Sequence, residues 1–295
     1  MSDNMTTREV AKYLRLNEKK VYSLVAEGQL PAARVSGKWL FPRHVIDQWV
    51  ETHTVHPPSG IMGALLDGLI VMQGSDDWLL ARTTQQFTAE CSVPVASCLV
   101  GSLAGIAAVA EGRAHVAACH VDNVQVRRRA PRDRDLYLFS LFTRTQGLMF
   151  STSRKPAIKR LSDLLKPSVR FASRQVESGT SRLVRRLLPD SVAVPAWKEV
   201  GPFYSHLDVA LAIRTGAADA GVGVEAAARH AGLGFLPLAP EVFKLAVPAA
   251  YTSHPTMTRF LDYLFGKLKR TRSADIPGYD FSVAGQAEIL SPTPR

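Results

Sequence analysis

FASRQVESGTSRLVRRLL, residues 171–188, passes from a strand through a small polar turn into a helix. Val169-Arg170-Phe171-Ala172 alternates apolar and polar residues as a short strand does. The turn is Glu177-Ser178-Gly179-Thr180. Beyond it Leu183, Leu187 and Leu188 share one side of a helix and Arg182, Arg185 and Arg186 the other. A helix that begins in this way leaves its first backbone N–H groups without internal partners. They point, with the positive end of the helix dipole and the hydroxyls of Ser178, Thr180 and Ser181, at one spot. An anion site is therefore expected at this turn.

The same strand-turn-helix unit recurs on both sides. Leu69–Met72 is an apolar run suited to a strand buried on both faces. It ends at Gly74-Ser75-Asp76-Asp77, and a helix follows through Trp78, Leu79, Leu80, Thr83 and Phe87. Val93–Val100 is a second strand, ending at Gly101-Ser102 before the helix Leu103–Glu111. His115–His120 is a third, followed by a basic, Pro-containing loop, Arg127–Arg134. Leu136–Phe142 and Gly147–Phe150 are further strands, and Ile158–Leu165 is a short helix. After the opening stretch, Ser205-His206-Leu207-Asp208 caps the helix Val209–Thr215, and Asp219–Val224 is one more strand. Gly234–Leu238 and Phe243–Val247 are return strands, and Met257–Arg270 is a C-terminal helix. The tail, 273–295, is expected to be poorly ordered.

Strands and helices that alternate in this way predict a mainly parallel α/β sheet with helices on both faces. Ligands of such sheets sit beyond the carboxyl ends of the strands. Four of those ends share one chemistry: Gly74-Ser75, Gly101-Ser102, Ser178-Gly179-Thr180 and Ser205-His206. Each serine taken alone suits a plain helix N-cap. Together the four turns can converge on one anion.

The first 52 residues follow a different pattern. Thr6 suits an N-cap, and Val10, Ala11 and Leu14 form a helical face. After the turn Arg15-Leu16-Asn17, Asn17 caps a second helix, Glu18–Glu27, whose inner face is Val21, Leu24 and Val25 and which Gly28 ends. Two short helices joined by such a turn form a helix-turn-helix. Ala33–Phe41 is a hairpin with Ser36-Gly37 at its tip. Pro42-Arg43 opens a third helix, His44–Thr52, with Val45, Ile46, Trp49 and Val50 turned inward; Trp39 and Trp49 suit core positions. Residues 53–60, HTVHPPSG, form a semi-extended linker in which His53 and His56 are solvated.

The chain has 295 residues, 46% of them hydrophobic and 21% charged, the make-up of a globular protein with two or three domains. The net charge of +10 favours anionic partners. It is not concentrated in the head, where residues 1–56 hold 8 Lys/Arg against 6 Asp/Glu. The excess lies in Arg127–Arg129, Arg132, Arg134 and from Arg154 to Arg186. There is no apolar run long enough to span a membrane, and the N-terminus lacks the basic-then-apolar order of a secretion signal, so a cytoplasmic protein with no membrane partner is expected. Cys91, Cys98 and Cys119 have no metal-ligand spacing and are expected to be reduced and mostly buried; no metal site is expected.

The segment Thr7–Glu51 resembles the excisionase-type, MerR-like winged helix-turn-helix. The resemblance is carried by TTREVAKYL, EGQLPAARV, SGKWLFPR and VIDQWV. It implies a second helix in the major groove of double-stranded DNA, with Glu18, Lys19, Lys20, Tyr22 and Ser23 facing the bases and backbone. It also implies a wing lying on the backbone through Arg34, Ser36, Lys38 and Arg43. Residues of about 61–265 resemble the type II periplasmic-binding-protein-like domain of cytoplasmic bacterial transcriptional regulators. This resemblance is carried by GSDDWLL, VGSLAGIAAVAEGRAHVAACHVDN, RTQGLMF, VRFASRQVESGTSRLVRRLL, SHLDVALAIRTGAADAGVGV and LGFLPLAPEVFKL. Relatives favour an Asn before Arg-Gln, a Gly-Ser-Gly-Thr-Arg turn and a His between Ser and Asp. Here Ser173, Glu177 through Ser181, and Asp76 stand instead.

The implied fold is a small winged helix-turn-helix head plus a two-lobed α/β periplasmic-binding-protein type II domain. Its domains are the head 1–52, the linker 53–60 and the ligand domain 61–272, with lobe I at 61–138 and 238–272 and lobe II at 139–237. The ligand residues expected between the lobes are Ser75, Asp76, Gly101, Ser102, Gln146, Arg174, Ser178, Gly179, Thr180, Ser181, Ser205 and His206. Arg174, pointing inward, can pair with a carboxylate or oxyanion; pointing outward it is an ordinary surface ion pair. Gln146, His120 and Glu241 sit at strand ends facing the same cleft, and His120 also suits a hydrogen-bonded core position. Asp76 and Glu177 repel a small dianion unless they point away or bind a cationic part of the ligand.

The function implied is a ligand-responsive transcriptional regulator acting as a homo-oligomer, with a small anionic or polar effector. Because relatives of the sensor domain are linked to molybdate, tungstate and the molybdenum cofactor, an oxyanion of that kind is the first expectation. No other cofactor is expected. The alternative is a DNA-architectural, excisionase-like protein whose large domain only oligomerises. An enzyme is not expected, since the sequence holds no assembled nucleophile-base set, no HExxH, no phosphate loop and no dinucleotide fingerprint.

Overall fold

The structure, a computed structural model, describes residues 4–53, 60–132, 134–153, 157–158, 160–175, 178–187 and 198–292. Most of the linker, and Glu177 and Leu188 of the opening stretch, lie outside the described residues. The chain forms two compact units, 1–66 and 67–295.

The first unit holds β1 (Asn4–Met5), α1 (Thr7–Leu14), α2 (Glu18–Ala26), β2 (Ala33–Val35), β3 (Lys38–Pro42), α3 (Arg43–Thr52) and α4 (Ile61–Leu66). Thr6 and Glu9 close a capping box at the start of α1. Asn17 caps α2 by accepting from Lys20 N at 2.7 Å. Ser36 and Gly37 both take positive φ, 50° and 80°, as the tight hairpin turn between β2 and β3 requires. Met5, Val10, Ala11, Val21, Leu24, Leu30, Phe41 and Ile46 form the core, with Trp39 and Trp49 packed partly buried against it. Three details differ from the sequence reading. The N-terminus adds a strand, with Asn4 opposite Pro42 and Met5 opposite Phe41. Val50, expected inside, is 40% exposed, because Ile46 and Trp49 already fill that side of α3. The helix Ile61–Leu66 also belongs to this unit, so the second one begins later than residue 61.

The second unit begins with β4 (Ile70–Gly74), α5 (Trp78–Cys91), β5 (Val95–Leu99), α6 (Ser102–Ala110), β6 (Val116–Cys119), α7 (Asn123–Arg129) and β7 (Leu136–Phe150). It continues with β8 (Arg170–Arg174), α8 (Gly179–Leu187), β9 (Lys198–Phe203), α9 (His206–Thr215), β10 (Ala220–Val224), α10 (Glu225–His230) and β11 (Gly234–Pro248). It ends with α11 (Ala249–Thr252), α12 (Pro255–Arg270), β12 (Tyr279–Asp280) and β13 (Ala287–Leu290). The strands form one sheet in the order β5-β4-β6-β11-β7-β10-β8-β9, with β12 and β13 also on β7. Strands β4, β5 and β6 run parallel, as do β8, β9 and β10, but every pairing made by β7 and β11 is antiparallel. The sheet is therefore mixed rather than mainly parallel.

The return strands are each continuous. β7 and β11 pair along their whole length, from Gly234 opposite Phe150 to Pro248 opposite Leu136. The ladder slips between Pro237 and Ala239 and between Phe243 and Lys244. These irregularities bracket the place where one lobe becomes the other. Up to Arg144, β7 carries β12 and β13, and from Gln146 onward it carries β10. The crossover in β7 thus falls near Thr145, not at residue 139.

Two further expectations are corrected. Arg127–Arg129, expected at the start of a loop, end the helix α7 instead: Asp122 caps it and Val126 is buried while the three arginines face out. The tail is ordered through β13, because Leu290 enters the core beside Ile106 and Leu136, and Tyr279 and Phe281 pack on Phe142. The cysteines also depart from expectation: only Cys119 is buried, with burial pushing its thiol up to about 12 against a weaker opposing effect of Lys244, while Cys91 is half-buried and Cys98 exposed.

Candidate functional site

The four Gly/Ser turns all lie at carboxyl ends of parallel strands, where helices begin. Gly74, at φ 145°, lets β4 end against β6; a Cβ there would lie 2.1 Å from Ala118 O. This close approach brings Ser75 to Ser102, whose hydroxyls bond at 2.7 Å, and Ser102 Oγ also accepts from His120 N at 3.2 Å. Gly101, at φ 87°, caps α6 without a side chain. Across the sheet, Ser178 Oγ accepts from Ser181 N at 3.1 Å and Ser205 Oγ from Asp208 N at 2.9 Å, both as helix caps. Ser181 Oγ donates to the carbonyls of Arg174 and Gln175, each at 3.2 Å, and Thr180 is buried. The serine hydroxyls are thus largely engaged in shaping the turns.

The charged side chains between the lobes form two clusters. Arg144, on β7, is fully buried. Its Nε donates to Glu241 Oε1 at 2.7 Å, and its NH1 to Asp77 Oδ2 at 2.6 Å and Asp76 O at 2.9 Å. The guanidinium lies over the Phe243 ring, 4.4 Å from its centroid. Asp77 also caps α5 through Leu80 N and accepts from Tyr279 Oη at 2.6 Å. Glu241 accepts in addition from His120 Nδ1 at 2.6 Å and Gln146 Nε2 at 2.8 Å. Burial pushes the Glu241 carboxyl up, but His120, Arg144 and the hydrogen bonds outweigh it and hold the group at about 2.

The second cluster joins the lobes. Asp76, from the β4–α5 turn, sends Oδ2 to the first amide of α9, His206 N, at 2.7 Å. Arg174, at the end of β8, points inward with its side chain 5% exposed, and its NH1 lies 3.7 Å from the same oxygen. That separation is an ion pair but not a hydrogen bond. Arg174 Nε and NH1, Gln146 Oε1 and His206 Nδ1 are buried without a hydrogen-bond partner, as is Arg144 NH2. Burial raises the Asp76 carboxyl despite the opposing His206 amide and arginines. Burial, with Arg174, Arg144 and His120 nearby, holds His206 well below its ordinary value, so its ring is neutral. Gly179, first residue of α8, meets the His120 ring, where a Cβ would stand 2.2 Å from Cε1. Asp76 therefore neither points away nor sits on the surface: it faces the cationic centre of lobe II.

In the head, Val21 and Leu24 turn one side of α2 into the core, which leaves Glu18, Lys19, Lys20 and Tyr22 exposed. Ser23 is half-buried and donates to Glu27. On the wing Arg34, Ser36 and Lys38 are exposed, and the Arg34 guanidinium lies 5.5 Å from the Trp39 ring centroid. Arg43 is exposed too, but stacks over Tyr13 at 4.6 Å and stands 3.8 Å from Asp47.

Residues 84–265 match the family described as the PBP superfamily domain. The chain belongs to this superfamily. Residues 5–54 match a helix-turn-helix domain. The uncharacterised Bacillus subtilis protein YvgK is 22% identical over 266 residues, covering 83% of this chain and 85% of its own. Among solved structures, the regulatory domain of Synechocystis CcmR, in complex with 2-PG, superposes with a TM-score of 0.51 at 14% identity, covering 69% of this chain and 97% of that one. The effector-binding domain of QuiR, in complex with shikimate, gives 0.49 at 12% identity over 68% of this chain and 97% of that one. A helix-turn-helix joined to a PBP-superfamily domain points to a ligand-responsive regulator.

Within the PBP-superfamily domain, sequence reasoning missed Arg144, Asp77 and Tyr279. One signal was available: Arg144 and Gln146 share a strand face with Phe142 and Leu148, so a polar pair sits on an otherwise apolar face. For Asp77 and Tyr279 there was none, since they are 202 residues apart. Among the described residues no group of three or more His, Cys, Asp or Glu could hold a metal ion, and no described helix is long and apolar enough to cross a membrane.

Proposed function

We propose that this protein is a DNA-binding transcriptional regulator of the cytoplasm that works as a homo-oligomer and responds to a small anionic or polar effector held between the lobes of its PBP-superfamily domain. The observation that carries the effector site is Arg174, a buried guanidinium with two nitrogens lacking hydrogen-bond partners, next to the amino end of α9. An anionic group supplies the acceptors these donors lack. A molybdate- or tungstate-like oxyanion is the simplest such group. Asp76, one side chain away, stands against a plain dianion.

The head supplies DNA binding through Lys19 and Lys20 on α2 and Lys38 on the wing, where exposed ammonium groups neutralise phosphates. Effector binding on both lobes changes their relative populations of arrangement, and an oligomer passes this to the spacing of two heads on operator half-sites. Selection of DNA from a random pool by the full chain tests the reading. An enriched site is expected, bound with a salt dependence that falls by about 0.9 in log–log slope when Lys19 is changed to Ala. Failure to enrich any sequence sinks the regulator reading.

A further inference from the structure

The unpartnered atoms between the lobes are not all donors. Arg174 Nε and NH1 call for acceptors, but Gln146 Oε1 calls for a donor. The orientation of that amide is fixed by chemistry. Glu241 Oε2 can only accept, so Gln146 must turn its NH₂ toward it, at 2.8 Å, and its oxygen away. His206 Nδ1 lies in the same region, 3.4 Å from where a Cβ of Gly223 would be, and Gly223 is one residue from Val224, the strand partner of Gln146. Asp76 adds a second acceptor beside the cationic centre, with Oδ2 3.7 Å from Arg174 NH1. Any group that bonds to Arg174 there lies against a carboxylate.

We propose that the effector carries a hydrogen-bond donor of its own beside its anionic group, as a hydroxy acid, an amino acid or a monohydrogen phosphate does, and that Asp76 selects for that donor. This rests on the reading of the interlobe site as the effector site. A proton on the ligand turns the contact with Asp76 from repulsion between acceptors into a hydrogen bond to a charged group. A fully ionised oxyanion has no such proton. It would also enter a site where Arg144, Arg174 and the His120 ring already face three carboxylates, Asp76, Asp77 and Glu241.

Thermal shift and titration calorimetry on the full chain at neutral pH separate the two ligand classes. Molybdate, tungstate and sulfate form the donorless set; glycolate, glycine and hydrogen phosphate form the donor-bearing set. At least one of the second set is expected to stabilise the wild-type protein and none of the first. Asp76→Asn, whose amide can donate to an oxyanion, is expected to raise affinity for sulfate or molybdate about tenfold or more, about 1.4 kcal/mol. Asp76→Ser serves as the second variant should Asp76→Asn disturb folding. Donorless oxyanions binding the wild type as tightly as the donor-bearing set, with loss of that binding in Arg174→Gln, overturn the donor requirement and leave the effector site standing. Binding of any probe that Arg174→Gln leaves unchanged overturns the effector site itself. No binding by wild type or either Asp76 variant overturns both; a gain of sulfate or molybdate binding in the variants alone upholds the selection by Asp76.

Discussion

Arg144 and Arg174 are both buried arginines between the lobes of one domain, and their surroundings could hardly differ more. Arg144 meets two carboxylates at 2.6 and 2.7 Å, a backbone carbonyl and an aromatic face. Arg174 has one carboxylate, at 3.7 Å, and two nitrogens without a hydrogen-bond partner. Burying a charge is costly unless the chain supplies its partners. At Arg144 the chain supplies them from α5, β11 and, through Asp77, the tail, and only NH2 lacks an acceptor. At Arg174 the set is incomplete. The first arginine joins elements distant in sequence, and the second keeps donors in reserve for something that is not this chain.

The largest effect that would break the contrast lies at Arg144. Arg144→Gln leaves Asp77 and Glu241 buried without their cation, and a loss of about 3–5 kcal/mol in urea unfolding is expected. A loss below about 1 kcal/mol would mean that the cluster is not what ties β7 to α5 and β11.

The carboxylates sharpen the same contrast with opposite signs. Glu241 is held at about 2, well under its ordinary 4.5, because His120, Arg144 and the hydrogen bonds overcome burial. Above 4.5 it is ionised in both folded and unfolded chains and its contribution is complete. As the pH falls from 4.5 toward 2, the unfolded chain takes up a proton that the folded one does not, and stability is lost. Asp76 is raised, chiefly by burial, so the folded protein takes up its proton first and gains stability on acidification. Glu241→Gln is expected to lose about 1–3 kcal/mol at neutral pH and to flatten the acid dependence of Tm. Asp76→Asn is expected to gain stability at neutral pH. Losses of equal size in both variants would erase the distinction between the clusters.

The sequence carried one cluster better than the other for a physical reason. The turn at Ser178–Ser181 and the caps at Ser205 and Asn17 are local: a hydroxyl or amide side chain and the backbone N–H it serves are three residues apart. Arg174 ends its strand, and that adjacency places it near the turn. The Arg144 cluster is assembled from residues up to 202 positions apart, and its one local trace is the polar pair Arg144 and Gln146 on an otherwise apolar strand face. Worse, Thr143-Arg144-Thr145-Gln146 looks like a polar break between two strands. It is the middle of one strand, polar because charged groups from β11 and α5 meet it there. The tail was misjudged alike: Tyr279, Phe281 and Leu290 are few among polar residues, but each finds a place in a core built by distant elements.

The smallest expected effect on stability is at Arg174. In Arg174→Gln the removed guanidinium leaves one carboxylate, Asp76, without a cation, but Asp76 keeps its hydrogen bond from His206 N at 2.7 Å. The change in unfolding free energy should therefore stay within about 1 kcal/mol, against about 3–5 for the equivalent change at Arg144. Urea titrations of the two variants side by side give the comparison directly. Should Arg174→Gln prove as destabilising as Arg144→Gln, then Arg174 is a second structural ion pair and its two unpartnered nitrogens are no longer a reason to place a ligand beside α9. Should it prove mild in stability while abolishing every ligand-induced shift in Tm, the two arginines divide the interlobe region between them, one holding the lobes' shared strands in place and the other binding what comes between.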